Sequence, residues 1–205
     1  MEIIRPSFTI EDEIDYEKML KRIERAGRTC YKSEEKITPD SAEKFIRMIV
    51  KSGHDSVIEH EKVTVRIICD RGVTHEIVRH RLASYSQEST RYCDYNKKGV
   101  RVIYPFFFAD SLEKYAIWEK AMLATEQAYN DLIKLGASPQ EARTVLPNSL
   151  KTEIVVTYNL REWRHFFRLR TSKKAHPQMR EITIPLFQEF KKLMPVFFED
   201  LAIEE

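Results

Sequence analysis

Arg79-His80-Arg81-Leu82-Ala83-Ser84-Tyr85-Ser86-Gln87-Glu88-Ser89-Thr90-Arg91-Tyr92 sets two arginines and a histidine side by side, then a run of hydroxyls and amides, then a third arginine. The stretch offers many hydrogen-bond donors and few apolar atoms. Arginine presents a planar fork of N–H groups that can meet a phosphate or carboxylate through two parallel hydrogen bonds. Three arginines where a helix gives way to a loop mark a candidate anion site. Plainer readings exist. A short helix expected from about Thr74 to Arg81 would end on the triplet, where cations complement the helix dipole. The triplet also fits an exposed basic loop, since most charge runs are solvated.

On the N-terminal side, Val63, Val65, Ile67 and Cys69 alternate with Thr64, Arg66 and Ile68, which predicts a strand. Asp70-Arg71-Gly72 reads as a turn. Further upstream, residues 11 to 26 read as a helix with Gly27 as its stop. Thr38-Pro39 reads as the start of another, since a cap is followed by Pro at the first helical position. That helix carries Phe45, Ile46, Ile49 and Val50 on one side and ends at Gly53.

On the C-terminal side a strand is expected over Arg101 to Pro105, then a long helix from Asp110 to Leu135 closed by Gly136. Ser138-Pro139-Gln140-Glu141 is a capping box that opens a helix to about Leu146. Glu153 to Tyr158 is β-branched and apolar and reads as a strand. Asn159-Leu160-Arg161-Glu162 is a capping-box-like start for a helix through Arg170. A last helix is expected over Pro177 to Leu193, bent at Pro185. Helices outnumber strands and no regular βαβ units occur, so the fold class is α+β, with helices on a small sheet.

The 205 residues suit one domain spanning 1–205. Hydrophobic residues make up 42%, enough for a core, while a net charge of +2 does not argue for non-specific nucleic-acid binding. No apolar run approaches membrane-spanning length. Residues 1 to 10 lack a signal-peptide apolar core, so the cytosol is the expected location. Cys30, Cys69 and Cys93 are odd in number and form no CxxC pair, which favours reduced, mostly structural thiols.

Neither a Rossmann glycine fingerprint nor a P-loop occurs, so arginines and helix ends would have to hold any dinucleotide. His75 and His80 point about 140° apart on a helix and do not chelate together, and no HExxH occurs, so no metal is expected. In the 159–170 helix, Arg161, Arg164, His165 and Arg168 fall on one cationic stripe. Trp163, Phe166, Phe167 and Arg170 share the opposite side. A guanidinium on that side calls for an anionic partner, either a ligand or an internal carboxylate. The stripe also fits a solvated face, and Asn159 is a good N-cap in its own right. Ser84, Ser86 and Ser89 lack a G-x-S-x-G setting, so hydrogen bonding is a better role for them than nucleophilic attack.

Arg-His-Arg, seven residues, Ser89 and then Arg91-Tyr92 resemble the signature of the flavin-dependent thymidylate synthases, the ThyX family. His54-Asp55-Ser56-Val57-Ile58-Glu59-His60 resembles the family's upstream segment. Ala142-Arg143-Thr144-Val145-Leu146-Pro147 resembles its middle segment. Asn159-Leu160-Arg161, with His165 and Leu169-Arg170, resembles its C-terminal binding helix. The four blocks agree in order and separation, and the resemblance runs from about residue 20 to 195.

The resemblance implies a fold of helices on a small, mostly antiparallel sheet. It implies reductive methylation of dUMP to dTMP, with methylenetetrahydrofolate as one-carbon donor, FAD as hydride carrier, NADPH as reductant and no protein nucleophile on the uracil. It implies a homotetramer with active sites where subunits meet, and neither membrane nor nucleic acid as partner. His54, Ser56, Glu59, Arg79, His80, Arg81, Gln87, Asn159, Arg161 and His165 would lie on FAD. Glu76, Arg79, Gln87, Ser89, Thr90, Arg91, Arg143 and Arg170 would lie on dUMP, with Arg170 in the catalytic role of favouring the ionised uracil ring. Two positions depart from the pattern. Glu76 stands where the family commonly has Gln, and an ionised Glu cannot donate; Cys30 stands where a Ser can approach the flavin. A non-catalytic nucleotide- or RNA-binding module using the same arginines is the alternative from another class.

Overall fold

The period-two alternation from Val63 to Cys69 is realised in full, with all four apolar side chains on that face buried. The computed structural model describes residues 1–203. In chain order its strands are β1 (Glu2–Ile4), β2 (Ser7–Ile10), β3 (Lys62–Asp70), β4 (Ala83–Gln87), β5 (Arg101–Ile103) and β6 (Lys151–Asn159). Its helices are α1 (Tyr16–Thr29), α2 (Ser41–Lys51), α3 (Arg71–Ile77), α4 (Tyr95–Lys98), α5 (Leu112–Lys134), α6 (Pro139–Ala142), α7 (Leu160–Arg170), α8 (Pro177–Leu193) and α9 (Pro195–Phe198). The fold is α+β, and its small sheet is mostly antiparallel. Four strands run in the order β2-β3-β6-β4, and β1 pairs in parallel with β5, Ile3 opposite Val102.

The contacts divide the chain into two compact units. One holds Met1–Phe8, Arg66–Arg79 and Tyr85–Val155; the other holds Thr9–Val65, His80–Ser84 and the chain from Val156 onward. The first unit is built on Val100, Val102, Tyr129, Ala142 and Leu150, all fully buried. Tyr129 accepts the Tyr95 backbone N–H on its hydroxyl, so its polar end is satisfied inside the core. The second unit gathers Trp163, Phe166, Phe167, Phe190, Phe197 and Phe198, each at most 1% exposed. Trp163 and Phe167 stack, and Phe190 meets both.

Several sequence expectations shift. α1 passes through Gly27 instead of stopping there. Gly27 is needed for packing, because a Cβ would meet the Phe45 ring at 2.7 Å and Val57 at 2.9 Å. α2 starts at Ser41, two residues after Pro39, because the Ser41 hydroxyl holds Thr38 in a turn and donates to Glu24. Asp70 is an N-cap, accepting from the Val73 N–H at 2.7 Å, so the expected turn is the first turn of α3. α3 then ends at Ile77, whose carbonyl takes a hydrogen bond from the Tyr85 hydroxyl at 2.8 Å. The Arg-His-Arg triplet therefore lies just beyond the helix and not in its last turn. The stretch after it, expected as loop, forms strand β4 over Ala83–Gln87 before the chain turns. β1 and β2 were not anticipated; at three and four residues they are too short to show a period.

Gly53 and Gly136 close their helices with positive φ of 68° and 92°, as expected. The Ser138–Glu141 capping box forms, with the Ser138 N–H donating to Glu141 at 2.8 Å. The cationic stripe of α7 is interrupted. Arg164 is buried and donates to both carboxylate oxygens of Asp200 and to the Phe197 carbonyl. Burial works against ionisation of Asp200, but Arg164 outweighs it and holds the carboxyl below the usual range.

Gly27 generates a prediction. An Ala in a helix interior ordinarily gains about 1 kcal/mol over Gly. Here Gly27→Ala should instead lose roughly 1–3 kcal/mol through overpacking against Phe45 and Val57. Urea melts of the two proteins check the sign.

Candidate active site

The expected site residues fall in both units, and each unit organises its own set. In the first, Gln87 at the end of β4 is exposed, yet its amide nitrogen donates to Thr74 of α3 at 3.0 Å and Thr152 of β6 at 3.2 Å. Both hydroxyls are fully buried, so they aim the amide without competition from water. After β4 the chain turns at Ser89, whose carbonyl accepts from the Tyr92 and Cys93 N–H groups and whose hydroxyl accepts from the Arg91 N–H. Arg143, at the end of α6, donates to the buried Thr90 hydroxyl at 3.4 Å. The middle sequence block and the signature stretch thus meet in space. Arg79, Arg91 and Arg143 are all exposed, and Glu76 is half-buried on α3.

A cavity of about 680 Å³ lies in the same unit, lined by Gln87, Tyr92 and Arg101 together with an ionic network. Lys151, almost wholly buried, donates to Glu88 at 2.8 Å and to Glu153 at 3.3 Å. Arg66 donates to the other oxygen of Glu153, and the Tyr95 hydroxyl to the other oxygen of Glu88. Hydrogen bonding from Arg66, reinforced by Lys151, keeps the Glu153 carboxyl below its usual range. Burial, aided by Glu88, pushes the Tyr95 phenol well above its usual value. Each charge has a partner, so a buried lysine is tolerated. No sequence pattern pointed to this network, because its members are spread over β3, β6, α4 and the turn after β4.

In the second unit, α7 starts at Asn159, whose side chain caps by accepting the Glu162 N–H at 2.8 Å. Glu162 does not complete a capping box. Its buried carboxylate turns to His80, 2.7 Å from Nδ1. The other ring nitrogen, Nε2, accepts from Arg170 Nε at 3.1 Å. An acceptor role at Nε2 places the ring proton on Nδ1, facing the carboxylate. His80 is thus a neutral imidazole joining an acid to a base. Burial is the main force holding its pKa below 6.5; Arg170 adds to this and Glu162 opposes it. His80 is itself buried, with Tyr158, Phe166 and His165 around the ring. Both of its nitrogens being engaged, its ring points inward. The partner that Arg170 was expected to need is in part this histidine.

His80, Glu162 and His165 bring one ligand-type atom each within 4.8 Å. The Arg170 guanidinium on Nε2 makes the cluster a poor host for a second cation. Cys30, His54, Ser56 and Arg161 line another cavity of this unit, about 500 Å³, with apolar walls from Phe45, Met48 and Val57. Arg161 and Glu59, both named above as flavin contacts, pair with each other; both are exposed, so water screens the pair and it opens readily. His165 and Arg81 are exposed.

The three cysteines are free, with Cys30 exposed and Cys69 buried. Burial drives the Cys69 thiol far above its ordinary pKa, which leaves it inert. Among the described residues, no helix is long and apolar enough to cross a membrane.

A family model described as "Thymidylate synthase complementing protein" matches residues 14–196. A Pyrococcus furiosus protein named flavin-dependent thymidylate synthase is 37% identical over 169 residues, covering 81% of this chain and 69% of that one. A Geobacter sulfurreducens protein of the same name is 36% identical over 182 residues, covering 85% and 78%. Among solved structures, a UMP/dUMP methylase, PolB, from Streptomyces cacaoi bound with 5-Br dUMP aligns with a TM-score of 0.83 over 97% of this chain and 96% of that one. It is 24% identical, and the likeness speaks to the fold.

The lowered His80 pKa has a stability consequence. As pH falls below about 6.5, the unfolded chain takes up this proton before the folded one does, so stability should fall. Replacing His80 with Gln removes the titration. The stability difference between the parent and His80→Gln should shrink as pH drops from about 7.5 to 5.5. Urea melts at both ends of that range measure it.

Proposed function

The chain belongs to the family of flavin-dependent thymidylate synthases, and from that premise we propose that it carries out the reductive methylation of dUMP to dTMP. Methylenetetrahydrofolate is the one-carbon donor in this reading. FAD supplies the hydride chemistry when bound, with NADPH as the source. The observation that carries the reading is the contact between Arg143 and Thr90. It sets an exposed arginine beside the Ser89–Arg91 turn, where hydroxyls and guanidinium forks suit a nucleotide phosphate.

The nucleotide is held by Gln87, Ser89, Thr90, Arg91 and Arg143, with Arg79 and Glu76 nearby in sequence. Gln87, aimed by Thr74 and Thr152, reads the uracil edge or the flavin. Glu76 serves as an acceptor, since its carboxylate has no N–H to give. Ser89 positions the substrate through its hydroxyl. Arg170 stabilises the negative charge that develops on the ring as it is activated, so no protein nucleophile is required.

The second unit's cavity suits part of FAD. Phe45, Met48 and Val57 offer apolar walls for a ring system, and Arg161, His54 and Ser56 offer polar groups at the same cavity. Arg161 and Glu59 separate to meet the ligand, and Asn159, Arg79, Arg81 and His165 complete the set. His80 takes part by ordering Arg170. We read residues 1–205 as one domain of a homotetramer whose subunits share active sites.

Three outcomes are expected. Purified protein should carry, or be reconstituted to, a flavin absorbance; a colourless protein that FAD cannot reconstitute would count heavily against the reading. Arg79→Ala and Arg81→Ala should each weaken FAD or nucleotide binding about 10- to 150-fold without unfolding the chain. Binding unchanged in both would leave Arg79 and Arg81 as exposed surface charges with no part in the site. Ser89→Ala should keep measurable turnover while Arg170→Ala loses nearly all of it, and Arg170→Lys should recover little. Single-turnover flavin oxidation with dUMP and methylenetetrahydrofolate separates these. A folded but dead Ser89→Ala enzyme with normal dUMP affinity would reverse the assignment.

A further inference from the structure

We propose that Glu162 is a positioning residue for the nucleotide reaction, acting through His80 to fix the direction of the Arg170 guanidinium. The inference rests on the reading above that Arg170 meets the pyrimidine. It explains where Glu162 points. A Glu three residues after an N-cap can turn back to the cap backbone N–H, as in a capping box. Glu162 instead gives its carboxylate to a histidine from a distant part of the chain and is buried there. Burying a carboxylate is unfavourable unless it is paired, and His80 Nδ1–H supplies the pairing.

The chemistry runs in one direction. An ionised carboxylate can only accept, so it holds the imidazole proton on Nδ1. That leaves a lone pair on Nε2, directed at Arg170 Nε. Arginine is always protonated and can only donate, so the Nε end of the guanidinium is directed at this acceptor. Were the ring to carry its proton on Nε2, or on both nitrogens, donor would face donor and this bond to Arg170 Nε would be lost. The rest of the setting favours the same state. Tyr158, Phe166 and His165 pack against the ring, and Glu162, Arg170 and His165 are the charged or titratable groups that act on it among the described residues. A neutral His80 therefore links a fixed acid to a fixed cation, and protonation would break the link.

The test uses the full chain loaded with FAD, and dUMP as the probe. Nitrogen NMR of histidine-labelled protein reads the His80 tautomer and its titration; calorimetry reads dUMP binding; steady-state kinetics separates KM from kcat. Glu162→Ala should lower the pH at which His80 titrates, and Arg170→Ala should raise it. Glu162→Gln keeps the side-chain shape but loses the charge, and its amide can either accept from or donate to Nδ1, so the Nδ1–H tautomer should be held less exclusively than in the parent. Both Glu162 variants should weaken dUMP binding about tenfold, with FAD binding unchanged, and Glu162→Asp should recover part of the loss. If Glu162→Ala fails to fold, the near-isosteric Glu162→Gln carries the test. Folded Glu162 variants with the parent tautomer and parent dUMP affinity would overturn the proposal; an Arg170→Ala loss of affinity in the same series would show that the role of Arg170 still stands. Parental dUMP binding and turnover in Arg170→Ala would defeat that role, and the proposal with it.

Discussion

Trp163 sets the rotation of α7, and most of what the second unit does follows from it. Its side chain is wholly buried, and its indole N–H donates to the Val63 carbonyl of β3 at 2.9 Å. Burying so large a ring contributes roughly 1.5–3 kcal/mol, and the hydrogen bond removes the one polar group that would oppose it. With Phe166 and Phe167 buried on the same side, the helix has one way to sit. Glu162 then lies beside the core face, and Arg170, two turns on, lies at its margin, where a guanidinium can keep one end dry and the other near water.

That placement leaves charges inside, and the chain handles them by pairing. Arg164 is matched by Asp200, Lys151 by Glu88 and Glu153, and Glu162 by His80. Such pairs add little to stability over apolar residues of similar size, but removing one partner leaves a stranded charge at a cost of several kcal/mol. Their value lies in fixing direction. Gln87, held between two buried threonine hydroxyls, is a neutral version of the same device. In both units a polar side chain that reaches the surface, Gln87 in one and Arg170 in the other, is oriented by polar groups that face inward.

The family, the activity class and the long elements were legible along the chain. Periodicity located β3, α5, α7 and α8 because each spans enough residues to bury one face repeatedly. The four motif blocks carried the family because their residue types and spacings recur together. Boundaries were less legible. Gly27 reads locally as a helix stop, yet its lack of a side chain serves the Phe45 ring. Asp70 reads as a turn and is a cap. The end of α3 depends on the Tyr85 hydroxyl reaching back to Ile77, which no pattern in residues 74 to 81 reveals.

What the sequence by itself determined is therefore the inventory: which segments could bury a face, which residues could bind an anion or a ring, and which family shares them. Tertiary structure alone decided how those groups face. It drew Arg164 out of an apparently solvated stripe, turned Glu162 from a cap to a partner of His80, and set Arg143 on Thr90 across 53 residues of chain. The physical reason is range. Propensity, capping and periodicity act over a few residues, whereas a buried polar group must find its partner wherever the fold brings one within about 3 Å, and sequence distance has no bearing on that.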